Sequence, residues 1–160
     1  MVFGYDASQG FARFLIRHSS TDEVVELRFG GPGDFPVAGD YDGDGITDLA
    51  VYGYSAQNGF SRFAILNSGG NPILPTTEGN APSGAYALPF GGRGDFPIAA
   101  DYDGDGITDL AVYGFSRQNG FSRFGILHTG GSPILPTAEG STPQGAFPLQ
   151  FGGGNDAPVV

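Results

Sequence analysis

The segment Asp40–Gly53 reads DYDGDGITDLAVYG and recurs without change at Asp101–Gly114, 61 positions later. Identity at a fixed spacing means that the chain is assembled from copies of one unit, and any fold must give the copies equivalent surroundings. The likeness continues downstream. GFSRFAIL (Gly59–Leu66) returns as GFSRFGIL (Gly120–Leu127), and NPILPTTEG (Asn71–Gly79) returns as SPILPTAEG (Ser132–Gly140). A more diverged copy, GFARFLIR (Gly10–Arg17), stands nearer the N-terminus and lacks the long insertion. The repeats fall at about residues 2–50, 51–111 and 112–160 of a single domain spanning 1–160.

Each unit offers four strands. Strand one is Phe35–Ala38 or Phe96–Ala99, strand two is LAVYGYS (Leu49–Ser55), strand three is FSRFAIL (Phe60–Leu66), and strand four ends in LPFGG (Leu88–Gly92). The 29 Gly and 12 Pro punctuate these short runs, and no stretch repeats its apolar residues at helical spacing, so the fold class is all-β. Short strands with Gly- and Asn-rich turns fit an antiparallel meander. Strand two is apolar on both faces, which suits a sheet held between two others, as in a β-propeller of four-stranded blades. A sandwich would show cleaner alternation.

The chain opens in strand two of a unit (Val2–Asp6) and closes in strand one of another (Ala157–Val160), giving about twelve strands, or three blades' worth. Three blades are too few for a ring. The expectation is therefore a homodimer closing a six-bladed ring, the last strand of each chain pairing with the first blade of the other. A piece of a larger propeller, engineered or excised, is the alternative.

Between strands one and two lies Asp-x-Asp-x-Asp-Gly-x-x-Asp. Alternate placement lets Asp40, Asp42, Asp44 and Asp48 converge on one centre, with Ile46 offering a backbone carbonyl. The second loop repeats this with Asp101, Asp103, Asp105, Asp109 and Ile107. Crowded carboxylates repel one another without a cation. Hard oxygen donors on a flexible loop select Ca²⁺, two per chain, over Zn²⁺ or Mg²⁺. The loop is like the first half of an EF-hand but departs from it, since position twelve is Val51 or Val112 instead of Glu and strand sequence follows.

The combination FP-V/I-A-x-DYDGDGITDLAVY, led in by FGG-x-GDFP (Phe29–Pro36 and Phe90–Pro97), resembles the FG-GAP/VCBS-type repeat of calcium-binding β-propellers, related to the blades of integrin α-subunits. The resemblance covers essentially the whole chain. It implies that the loop joins strands one and two of a blade, that Ca²⁺ is structural and held by the five positions of each loop, and that the protein works outside the cell or at its surface. The third copy stops at Val160, before its loop would begin. Met1 and Val2 run directly into the first repeat, which leaves no room for a signal peptide.

Charge narrows the partners. The net charge is −10 and all seven basic residues are Arg, which argues against nucleic acid and anionic membranes. Eight of the 17 acids sit in the two loops, so two divalent ions would bring the charge from −10 to about −6. There is no Cys and therefore no disulfide or thiolate chemistry. Arg13, Arg62 and Arg123 recur at one repeat position and Asp34, Asp95 and Asp156 at another, which predicts Arg–Asp pairing between adjacent blades. Arg93-Gly94-Asp95 spells an adhesion tripeptide, but its Gly and Asp belong to the repeated lead-in. His18 and His128 stand apart from any repeated acid or nucleophile, and no Ser-His-Asp order accompanies them. The Ile73–Thr76 and Ile134–Thr137 insertions are the place to look for a ligand loop, although a long hairpin with no binding role is the favoured reading. The function these features imply is a non-catalytic, calcium-stabilised propeller module for protein or glycan interaction. One alternative is an engineered or excised propeller fragment with no evolved ligand. The other is a loop-borne carbohydrate-active enzyme such as a polysaccharide lyase, although near-identical blades leave little of the asymmetry an active site needs.

Overall fold

The computed structural model describes residues 1–56, 59–68, 86–116, 120–129, 147–150 and 155–157. They form eleven strands and no helix: β1 (Val2–Asp6), β2 (Phe11–Arg17), β3 (Val24–Arg28), β4 (Phe35–Pro36), β5 (Leu49–Ser55), β6 (Phe60–Leu66), β7 (Tyr86–Pro89), β8 (Phe96–Pro97), β9 (Leu110–Ser116), β10 (Phe121–Leu127) and β11 (Phe147–Gln150). Three antiparallel sheets result, ordered β1-β2-β3, β4-β5-β6-β7 and β8-β9-β10-β11. The sheets cross the repeat boundary at residues 50 and 51, because β4 pairs with β5 through Phe35–Tyr52 and Pro36–Val51.

Strands two and three of the unit take their expected bounds. Val, Tyr, Phe and Ile pack well on a pleated surface, and Gly10, Gly59 and Gly120 close the intervening turns at positive φ. Strand one is shorter than its sequence suggests. Regular pairing stops at Pro36, then resumes through Val37 N–H donating to Ala50 O and a bridge between Gly39 and Asp48. Strand four also differs, running over Tyr86–Pro89 instead of ending at Gly92, since Gly91 at φ 87° turns the chain away. The two Ile-Leu-Pro-Thr insertions and most of the expected final strand lie outside the described residues.

The sheets pack face to face, and β5 shows how. Leu49 and Val51 join Phe14, Leu27, Phe29 and Leu66 in the layer against the first sheet. Ala50 and Tyr52 point the other way, joining Phe63, Leu88, Leu110 and Val112 in the layer against the third. Period-two alternation therefore sends each half of an all-apolar strand into its own core layer. Burying side chains of this size contributes about 1.5–3 kcal/mol apiece. Ala111, Tyr113 and Ile126, the counterparts of Ala50, Tyr52 and Ile65, form a third layer on the far face of the last sheet, with Phe124 against it.

Candidate metal centre

Each Asp-rich loop is closed at its neck by an antiparallel bridge, Gly39–Asp48 in the first and Ala100–Asp109 in the second. Within the first, Asp40 folds over the loop: Oδ1 accepts from Gly43 N–H at 2.7 Å and Oδ2 from Gly45 N–H at 2.8 Å. Asp44 Oδ1 accepts from Ile46 N–H at 2.8 Å. Gly43 and Gly45 have φ of 78° and 81°, a region that L side chains seldom enter, so the wrap depends on glycine there. The second loop repeats this pattern around Asp101, Asp105 and Ile107.

Asp48 is fully buried. Its Oδ2 accepts from Tyr41 N–H at 2.9 Å and its Oδ1 from Ser68 N–H at 2.7 Å, which ties the end of β6 to the loop. Burial pushes its pKa above the ordinary carboxylate value, the two N–H donors pull it down, and Asp42 raises it again. Asp109 holds the same place, bonded to Tyr102 N–H and Thr129 N–H.

The predicted ligands come together in part. Asp40, Asp42 and Asp48 each bring one oxygen within 4.8 Å of the others, as do Asp101, Asp103 and Asp105. Asp44 stands outside the first group and Asp109 outside the second. Ile46 N–H donates to Asp44 Oδ1 and Ile107 N–H to Asp105 Oδ1, each two residues back. A cradle of hard carboxylate oxygens, one of them buried and destabilised as an anion, suits a divalent cation of the Ca²⁺ type.

His128 corrects the sequence reading, which set it apart from the acids. Its Nδ1 is 3.0 Å from Asp109 Oδ2 and 3.4 Å from Asp103 Oδ2. The hydrogen bond to Asp109 and the surrounding carboxylates push the imidazole above its ordinary pKa. The Arg–Asp expectation is also revised. Asp34 Oδ2 accepts from Gly31 N–H at 2.8 Å and Asp95 Oδ2 from Gly92 N–H at 2.8 Å, so both carboxylates clasp their own lead-in turns. Arg13 pairs with Glu26 on the neighbouring strand of its sheet, and Arg123 acts on Asp95 within its own sheet, not across to the next.

Asp95 supplies a pH dependence. Burial raises its pKa above 3.8, against the opposing effects of Gly92 N–H and Arg123. A folded pKa above the unfolded one means that the fold binds the proton more tightly, so Asp95 favours folding most below the unfolded value, and that contribution is lost as pH rises through the folded value. Asp95→Asn keeps an acceptor for Gly92 and removes the titration. In urea unfolding at stepped pH, the variant should gain on the wild type as pH climbs from about 3.8 upward. Parallel stability curves would contradict this.

No family model matches this chain, and comparison with curated proteins and with solved structures finds no significant match.

Proposed function

We propose that the chain is a non-catalytic, calcium-stabilised β-propeller module for protein or glycan interaction, with Ca²⁺ as a structural staple between strands one and two of each blade. The observation that carries this reading is the pair of Asp-rich loops, each closed at its neck by a β-bridge and anchored by a buried aspartate. A cation seated there would offset the mutual repulsion of the carboxylates and the cost of burying Asp48. The FG-GAP/VCBS-like motif and display outside the cell belong to the same reading.

The open edge of β1 supports ring closure by a second copy. The far side of the third sheet repeats the apolar pattern as Ala111, Tyr113, Phe124 and Ile126, but Ala111, Tyr113 and Ile126 are already buried within the chain, so it is the strand edge that calls for a partner. Edge strand β1 has β2 as its only neighbour among the described residues, whereas its counterparts β5 and β9 are each paired on both sides. Phe35 and Phe96, 45% and 51% exposed, touch edge-to-face at 6.0 Å beside the strand-one edges, where the channel of a ring would run. In this reading a second chain supplies the missing neighbours and completes six blades.

Two measurements test the two parts. In calcium the chain should run as a monodisperse dimer in light scattering, and EDTA should lower its melting temperature, because a ligand that binds only the folded state stabilises it by mass action. An unchanged melt in EDTA would refute the metal. A monomer at every calcium level would refute closure. A glycan array read with and without calcium then searches for the ligand.

A further inference from the structure

We infer that the second loop is a mixed oxygen–nitrogen site in which His128 joins Asp103 and Asp109, so that it takes a borderline divalent cation of the Co²⁺ or Zn²⁺ class while the first loop keeps to hard cations. The inference rests on the reading that these loops bind cations, and it separates two sites that the repeat would make alike.

The repeat itself is the control. Residues 40–53 and 101–114 are identical, so any difference in ligand set must come from outside the loop. Pairing of Leu127 with Leu110 carries the hairpin register on to place residue 128 opposite Asp109, as pairing of Leu66 with Leu49 places residue 67 opposite Asp48. At that position the first unit has Asn67 and the second has His128. Among the described residues, the first loop gathers only carboxylates, whereas in the second the Nδ1 of His128 and one oxygen each from Asp103 and Asp109 lie within 4.8 Å of one another.

The spacings suit a small ion. Donors about 2.1 Å from a metal stand about 3.0 Å apart at octahedral angles and about 3.4 Å apart at tetrahedral ones. His128 Nδ1 is 3.0 Å from Asp109 Oδ2 and 3.4 Å from Asp103 Oδ2. Imidazole is a good donor to Co²⁺, Ni²⁺ and Zn²⁺ and a poor one to Ca²⁺, which takes oxygen. Asp109 is held in place by Tyr102 N–H and Thr129 N–H, so the oxygen beside the imidazole is positioned by the backbone. The 3.0 Å separation equally suits a plain hydrogen bond to Asp109, and the experiment divides the two.

The full chain, without a histidine tag, is titrated with CoCl₂ by visible absorption and with CaCl₂ by calorimetry. One cobalt equivalent should bind per chain, and His128→Asn should weaken it by on the order of tenfold or more. Asn67→His should create a second cobalt equivalent, and His18→Asn should change nothing. Calcium uptake by the first loop should be the same in His128→Asn as in the wild type. Cobalt affinity that survives His128→Asn, or no cobalt uptake at all, would overturn the site and leave His128 as a hydrogen-bond partner of Asp109. Cobalt uptake that depends on His128 in a chain indifferent to calcium would support the nitrogen site while removing the calcium reading of the first loop.

Discussion

Gly53→Ala should destabilise the chain by about 3 kcal/mol, and Gly114→Ala by a similar amount. A Cβ on Gly53 would overlap Asp34 Oδ1, and one on Gly114 would overlap Asp95 Oδ1. Neither carboxylate can swing away cheaply, because its other oxygen is bonded to Gly31 or Gly92. The variant must therefore lose that hydrogen bond, at about 1 kcal/mol, as well as strain the sheet. Thermal or urea unfolding reads the loss directly, and Asp34→Gly in the same chain should recover part of it. A Gly53→Ala variant as stable as the wild type would show that the carboxylate does not occupy this place.

Gly4 is the instructive counterpart. It holds the same repeat position in β1, facing Arg13 as Gly53 faces Arg62, yet among the described residues nothing lies within 4 Å of a Cβ built on it. Gly4→Ala should be close to neutral in a lone chain. In the closed ring proposed above, a second copy would bring its Asp156 over Gly4, and the substitution should then resemble Gly53→Ala. The ratio of the two losses, measured below and above the dimerisation midpoint, tests closure without any ligand.

The second large effect is expected at Asp48. Replacing this fully buried carboxylate with Ala should cost roughly 3–5 kcal/mol even in EDTA, because Tyr41 N–H and Ser68 N–H lose their acceptors inside the protein. Ser68 Oγ, 3.3 Å from Asp48 Oδ1, loses a partner as well. Asp48→Asn should fall between, since one carbonyl oxygen still accepts while the amide NH₂ faces a donor. Measuring both variants with and without calcium separates two roles. A loss confined to calcium would make Asp48 a ligand only, and a loss of equal size in EDTA would make it the clasp between β6 and the loop.

Much of this architecture was legible because the repeat marks equivalent positions. LAVYGYS and FSRFAIL take the bounds their apolar patterns suggest, and the burial of Leu49 through Gly53 follows from a strand apolar on both faces. The shortened strand one was not legible, since the regular ladder stops at Pro36 and continues only as Val37 N–H to Ala50 O and the Gly39–Asp48 bridge. His128 was missed for a different reason. Its partners are 19 and 25 positions away, and only the hairpin register of β9 and β10 brings residue 128 opposite residue 109. Extending the pairing one step past Leu127 would have found it. The Asp34 and Asp95 carboxylates misled differently. Charge suggested an Arg partner in the adjacent blade, while each carboxylate bonds the backbone N–H three residues back and Asp95 feels Arg123 of its own sheet.

Where neighbouring sheets meet, Thr108 of one unit nests on Gly39 of the unit before it. Its N–H donates to Asp40 O, its Oγ1 accepts from Asp40 N–H at 3.0 Å, and a Cβ on Gly39 would come within 2.7 Å of its methyl group. The two Asp-rich loops are thus joined to each other through backbone and not merely placed in series. Cooperativity in a stack of repeats comes from such nearest-neighbour seams more than from the intrinsic stability of each repeat. Lengthening the stack by one unit adds one seam, so longer arrays should melt later and more sharply. If the loops hold cations as proposed above, occupancy of one would then be felt at the next through this seam.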